Sequence, residues 1–84
     1  NIEEVEMADL KLFPNPTTGL INIQWEELQG VAFYDVFDGS GKLVFSTSSN
    51  KIYKTINLQQ LERGIYIISI TNNDVKQQYR IVKQ

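Results

Sequence analysis

The chain has no cysteine and no histidine. Those absences exclude Ser-His-Asp and Cys-His catalysis, thiolate zinc sites, disulfides and thiol redox chemistry. A chain without cysteine also crosses an oxidising compartment without mispairing. No apolar run approaches the ~20 residues of a membrane helix, so no stable membrane insertion is expected. Asn1 is not an initiator methionine, and no basic-then-apolar leader follows it. That predicts an excised or processed piece of a longer chain. No basic stripe with interleaved stacking aromatics is present, so no nucleic-acid partner is expected.

What is present is β-forming. Of 84 residues, 42% are apolar and 21% charged, too apolar for a disordered chain. Ile and Val together number 16, and Phe, Tyr and Trp add nine. Such residues suit pleated, half-buried strands. The length allows one domain with a small core. Net charge is −2, yet Glu3, Glu4, Glu6 and Asp9 carry four of the ten acids. Residues 1–9 therefore read as an acidic linker, and residues 10–84 as the domain.

From Leu10 onward, short apolar runs alternate with turn signals, the pattern of an all-β sandwich. Leu10 to Phe13 is a first strand. Pro14 and Pro16 stop it, because each fixes φ and removes an N–H donor. Gly19 permits the positive φ of a turn back into a strand. Leu20 to Trp25 alternates with period two. Val31 to Phe37 is apolar on both faces, which predicts a central strand or a bulge near Asp35 that switches its facing. Asp38 to Gly41 is a hairpin loop, and Lys42 to Ser46 returns from it. Thr47 to Asn50 reads as a polar loop tip. Lys51 to Leu58 is the next strand, with Ile52, Ile56 and Leu58 on one side. Gln59 to Gly64 allows one helical turn that tucks Leu61 under the sandwich. Ile65 to Ile70 is strongly apolar, with Tyr66, Ile68 and Ile70 toward the core. Asn72 to Asp74 is a tight turn, since Asn and Asp tolerate left-handed geometry. Val75 to Val82 pairs back as a hairpin. The expected fold is a small seven-stranded Ig-like antiparallel β-sandwich.

Few residues offer chemistry. Asp35 and Asp38 are a close carboxylate pair outside the linker, and they sit where Asp is favoured for turn reasons. The segment Asp35 to Gly41 lacks the alternating acids and closing Glu of a calcium loop. Gly39-Ser40-Gly41 opens no helix and is no phosphate cradle. No catalytic residue, metal or cofactor is expected. Trp25, Tyr34, Tyr53, Tyr66 and Tyr79 could stack on sugar rings if several shared one exposed face. That leaves an Ig-like accessory or carbohydrate-binding module of a secreted enzyme as an alternative reading.

Four segments, in order, resemble one family. Leu12-Phe13-Pro14-Asn15-Pro16-Thr17-Thr18-Gly19 is similar to its aromatic-Pro-Asn-Pro-Thr/Ser-x-Gly opening. Tyr34 to Val44 is similar to its central strand and hairpin. Ile56 to Ile68 carries its Leu-x-x-Gly-Val/Ile-Tyr run as Leu61-Glu62-Arg63-Gly64-Ile65-Tyr66. Arg80-Ile81-Val82-Lys83-Gln84 is similar to its basic-apolar-apolar-Lys terminus. The family is the type A C-terminal sorting domain of type IX secretion substrates, also called the Por secretion system family. Arg80 stands where Lys is common, Asp38 is added to the hairpin, and Gln84 follows the final Lys.

The resemblance implies a Gram-negative bacterium and a fused N-terminal cargo domain. It implies passage through the periplasm and an outer-membrane type IX translocon to the cell surface. A sortase-like surface protease then usually removes the domain, and cargo is released or joined to an anionic lipopolysaccharide. Recognition by translocon or protease is assigned to the last strand, at Lys76, Arg80, Ile81, Val82 and Lys83. Lys83 is expected to extend past the hairpin as a mobile charge. Pro14, Asn15, Pro16, Gly19, Gly41 and Gly64 are assigned structural turn roles.

Overall fold

The computed structural model describes residues 10–84. The expected linker, residues 1–9, lies outside the described residues. Seven strands follow in chain order: β1 (Leu10–Phe13), β2 (Leu20–Trp25), β3 (Ala32–Phe37), β4 (Leu43–Ser49), β5 (Tyr53–Asn57), β6 (Gly64–Asn72) and β7 (Val75–Lys83). They form two antiparallel sheets, ordered β1-β2-β5 and β4-β3-β6-β7.

Alternation builds the core. In β2, Ile21, Ile23 and Trp25 turn inward; Ala32, Tyr34 and Val36 of β3 face them across the sandwich. Tyr66, Ile68 and Ile70 of β6 join them, as do Tyr79 and Ile81 of β7. Burying each large aliphatic side chain contributes roughly 1.5–3 kcal/mol. Register follows from keeping these residues on one face, since a one-residue slip would expose them all. In β6–β7 it is set by a two-residue turn: Asn72 pairs with Val75, and Asn73 and Asp74 have φ of 53° and 68°. Left-handed geometry at both central residues matches the twist of the flanking strands.

Several boundaries differ from expectation. β3 is central, between β4 and β6. The register shift lies between Val36 and Phe37, where Val36 pairs with Phe45 and Phe37 with Leu43. The extra residue is Val44, so the bulge belongs to β4 and the facing of β3 is kept. β4 runs on to Ser49, through the expected loop tip. Thr47 and Ser49 pair with Tyr34 and Ala32, and an edge strand needs a backbone ladder on only one side. Ile52 is 53% exposed, whereas Ile56 and Leu58 are buried. Ile52 lies just before β5, and its carbonyl accepts from Trp25 N at 2.8 Å. Gln59 to Gly64 forms no helix; Leu61 N donates to Leu58 O at 3.0 Å, and Leu61 packs against the core half-buried.

The strand directions define two ends. Leu10, Trp25, residues 26–31, residues 50–52 and the Asn73-Asp74 turn share a near end, where β1 begins. Residues 14–19, 38–42, 58–63 and Gln84 share the far end.

Candidate functional site

All four family-like segments meet at the far end. The meeting is built first by Pro14-Asn15-Pro16. Both peptide bonds preceding the prolines are cis. After pairing with β2, the chain leaves that sheet and crosses to the outer edge of β7. A proline cannot donate to a ladder, so the Asn15 side chain does the pairing instead. Asn15 Nδ2 donates to Arg80 O at 2.8 Å, and Val82 N donates to Asn15 Oδ1 at 2.9 Å. Thr17 continues with its backbone. Thr17 N donates to Val82 O at 2.9 Å, and Gln84 N to Thr17 O at 2.8 Å, a parallel bridge to Lys83.

Thr17 is buried, and its hydroxyl is satisfied on both sides. It donates to Leu20 O at 2.6 Å and accepts from Gly19 N at 2.9 Å. Gly19 has φ of +153°, and a Cβ there would lie 2.4 Å from Gln59 Cγ. Gly19 O accepts from Leu58 N at 2.6 Å, joining this corner to the third segment. Tyr66 of β6 donates its hydroxyl to Glu62 O, which closes that segment on itself.

The hairpin after β3 is closed by Asp38. Its Oδ1 accepts from Ser40 N at 2.9 Å, Ser40 Oγ at 2.7 Å and Lys42 N at 3.0 Å. The Ser40 hydroxyl, then the Lys42 amide, hold the Asp38 carboxyl below its ordinary pKa. Gly41 has φ of +90°, and its N–H donates to Asp38 O at 2.9 Å. Gly64 begins β6 with φ of +151° opposite Lys83.

The assigned recognition residues do not form one cluster. Lys76 pairs with Thr71 next to the near-end turn, whereas Arg80 pairs with Ile67 toward the far end. Both are exposed. Lys83 lies within β7, half-buried and opposite Gly64, instead of projecting past the hairpin. The Thr17 bridge holds it there. Val82 is half-buried beside Ile65, and Ile81 is a fully buried core residue.

β7 is an edge strand with a partial cover. Arg80 O, Val82 N, Val82 O and Gln84 N point outward and are taken by Asn15 and Thr17. By the same alternation, the backbone groups of Lys76 and Gln78 point outward, where no described strand runs.

Sequence reasoning missed Thr17 and the apolar outer face of the larger sheet at the far end. Ile65 and Ile67 alternate with Tyr66 and Ile68, so β6 has apolar residues on both faces there. That excess was the available signal. The supposed aromatic platform is absent. Trp25, Tyr34, Tyr66 and Tyr79 are buried, and Trp25 Nε1 donates to Tyr34 Oη at 2.9 Å inside the core. Tyr53 alone of the five is exposed, at 51%.

Residues 11–84 match the family described as the secretion system C-terminal sorting domain. The chain is 32% identical over 82 residues to ulvan lyase NLR42 of Nonlabens ulvanivorans, covering 90% of this chain. It spans 14% of that enzyme's length. Among solved structures, it resembles a DUF3244 family protein from Bacteroides vulgatus with an immunoglobulin-like β-sandwich fold. The TM-score is 0.79 at 15% identity, covering 90% of this chain and 85% of the other. That likeness establishes the Ig-like sandwich. With the family match over nearly its whole length, the chain belongs to the secretion system C-terminal sorting domain family.

Proposed function

We propose that this domain is the export address of a cargo protein carried ahead of Leu10. In this reading, the folded sandwich delivers that cargo through an outer-membrane type IX translocon to the cell surface. A sortase-like surface protease then cuts in the acidic stretch before β1. The domain itself does no chemistry. An address for varied cargo must fold alone and present one constant surface. The observation that carries the reading is the convergence of all four family-like segments at the far end, away from where β1 begins. Cargo at the near end leaves that surface clear.

Arg80, Val82 and Lys83 stand at the far end and are the address residues in this proposal, with Ile81 anchoring the strand beneath them. Lys76 stands apart from them. A sugar-binding role is disfavoured by the burial of four of the five candidate aromatics. The test is a signal-peptide-bearing reporter fused ahead of residues 1–84 in a type IX-competent host and in an isogenic strain lacking the translocon. Surface reporter in the first strain only supports the proposal. Intact, folded reporter held in the periplasm of both strains overturns it.

A further inference from the structure

The outer face of the β4-β3-β6-β7 sheet is unevenly composed. At the far end, one cross-strand row runs Leu43, Phe37, Ile67, Arg80, and the next pairs Ile65 with Val82. Five apolar side chains are thus contiguous, with Leu43 50% and Ile65 45% exposed. The middle of the face is polar, with the row Ser46, Asp35, Ser69, Gln78. An apolar patch with a polar margin marks an interaction surface more often than chance exposure does.

We infer that this patch, bordered by Arg80, is the docking surface for a partner protein that is apolar at its centre and carries a carboxylate to meet the guanidinium. The inference rests on the export-address reading and names the surface that reading requires. Charge chooses the occupant. Asp35 is the one acid among the strand residues of this face, and its Oδ1 already accepts from Ser46 Oγ at 2.7 Å. Arg80 and Lys76 line the β7 side, so the face is complementary to an acidic partner. A second copy of the chain would bring to this face one strand carboxylate, Asp35, which stands in the polar middle row and not at the apolar patch. The patch takes residues from the second, third and fourth family-like segments, and the Pro14-to-Thr17 cover secures the β7 strand that carries Val82.

The test compares reporters fused ahead of three forms of residues 1–84: the unaltered domain, Leu43→Gln/Ile65→Gln, and Phe33→Gln. Phe33 is exposed on the same face near its other end. The unaltered domain must first reach the surface; if it does not, the export-address reading itself fails. Given that, the double variant is expected to lower surface reporter about tenfold or more, as loss of central apolar anchors does at interfaces. Phe33→Gln is expected to leave display unchanged. Melting temperatures of the free domains check folding. If the double variant unfolds, Leu43→Thr/Ile65→Thr keeps β-branched strand formers and is read in its place. Normal display by a folded patch variant overturns the inference. So does a dimer of the unaltered domain, seen by sedimentation, that the patch variant abolishes.

Discussion

Asn15 and Val82 stand 67 positions apart in sequence and are held edge to edge by a 2.9 Å hydrogen bond from Val82 N to Asn15 Oδ1. Asn15 Nδ2 donates back to Arg80 O. One side chain thereby reproduces a strand's donor and acceptor where the flanking prolines offer no N–H. Asn15→Ala removes both bonds and is expected to cost about 1–2 kcal/mol. Asn15→Asp should cost at least as much, because it keeps the acceptor but turns a carboxylate toward a carbonyl. Urea denaturation measures both. Unchanged midpoints would show that the β7 edge does not depend on this cover.

Gly19→Ala should destabilise by ~1 kcal/mol or more. The new Cβ would meet Gln59 Cγ at 2.4 Å and Gln59 Cα at 3.2 Å, at a φ that L-residues avoid. Adding Gln59→Ala removes the nearer clash only. Thermal melts of the single and double variants should therefore show partial recovery. Full recovery would mean that the backbone at Gly19 does not require glycine.

Much of this corner was legible from Pro14, Pro16 and Gly19, because their constraints act on their own backbone. Its destination on β7 was not, since that depends on partners more than 60 residues away. The same division explains β4 and Ile52. Thr47 and Ser49 have loop-like composition, yet their backbone is claimed by β3. Ile52 fits the period of Ile56 and Leu58 but lies before the β5 ladder begins. Period two identified the inward face of β6, where Tyr66, Ile68 and Ile70 are buried. Of the residues of the last strand assigned to recognition, Lys76 and Arg80 are exposed, whereas Ile81 is buried because it shares the inward face with Tyr79. The free end expected at Lys83 failed because Thr17 pairs beside it.

Tyr34→Phe should cost about 1–3 kcal/mol, because Trp25 Nε1 would be left buried without its acceptor. A pH dependence accompanies it. Burial raises the Tyr34 pKa above the ordinary 10.0, outweighing the Trp25 hydrogen bond. The unfolded chain thus loses this proton first. The corresponding stability is complete below pH 10.0 and is lost as pH rises toward the folded-state pKa. Stability curves of the two proteins should converge above pH 10. Parallel curves would remove Tyr34 as the titrating group.

Ser69→Ala should leave stability unchanged or raise it by up to about 1 kcal/mol. Ser69 is buried, and its hydroxyl has no hydrogen-bond partner among the described residues. A loss greater than that in calorimetry would reveal a bridging water that satisfies the hydroxyl.

Arg80 and Lys76 separate the address from the rest of β7. Both are exposed cations on one face of one strand, so reversing either should alter stability by under ~1 kcal/mol. They differ in position, Arg80 beside Ile67 at the far end and Lys76 beside Thr71 at the near end. The direct test is the surface-displayed fraction of an exported reporter carrying Arg80→Glu against one carrying Lys76→Glu, each checked for an unchanged melting temperature. The account predicts that Arg80→Glu strands the reporter in the periplasm while Lys76→Glu reaches the surface normally. Normal display of a folded Arg80→Glu fusion, or equal loss from both variants, would contradict a far-end address.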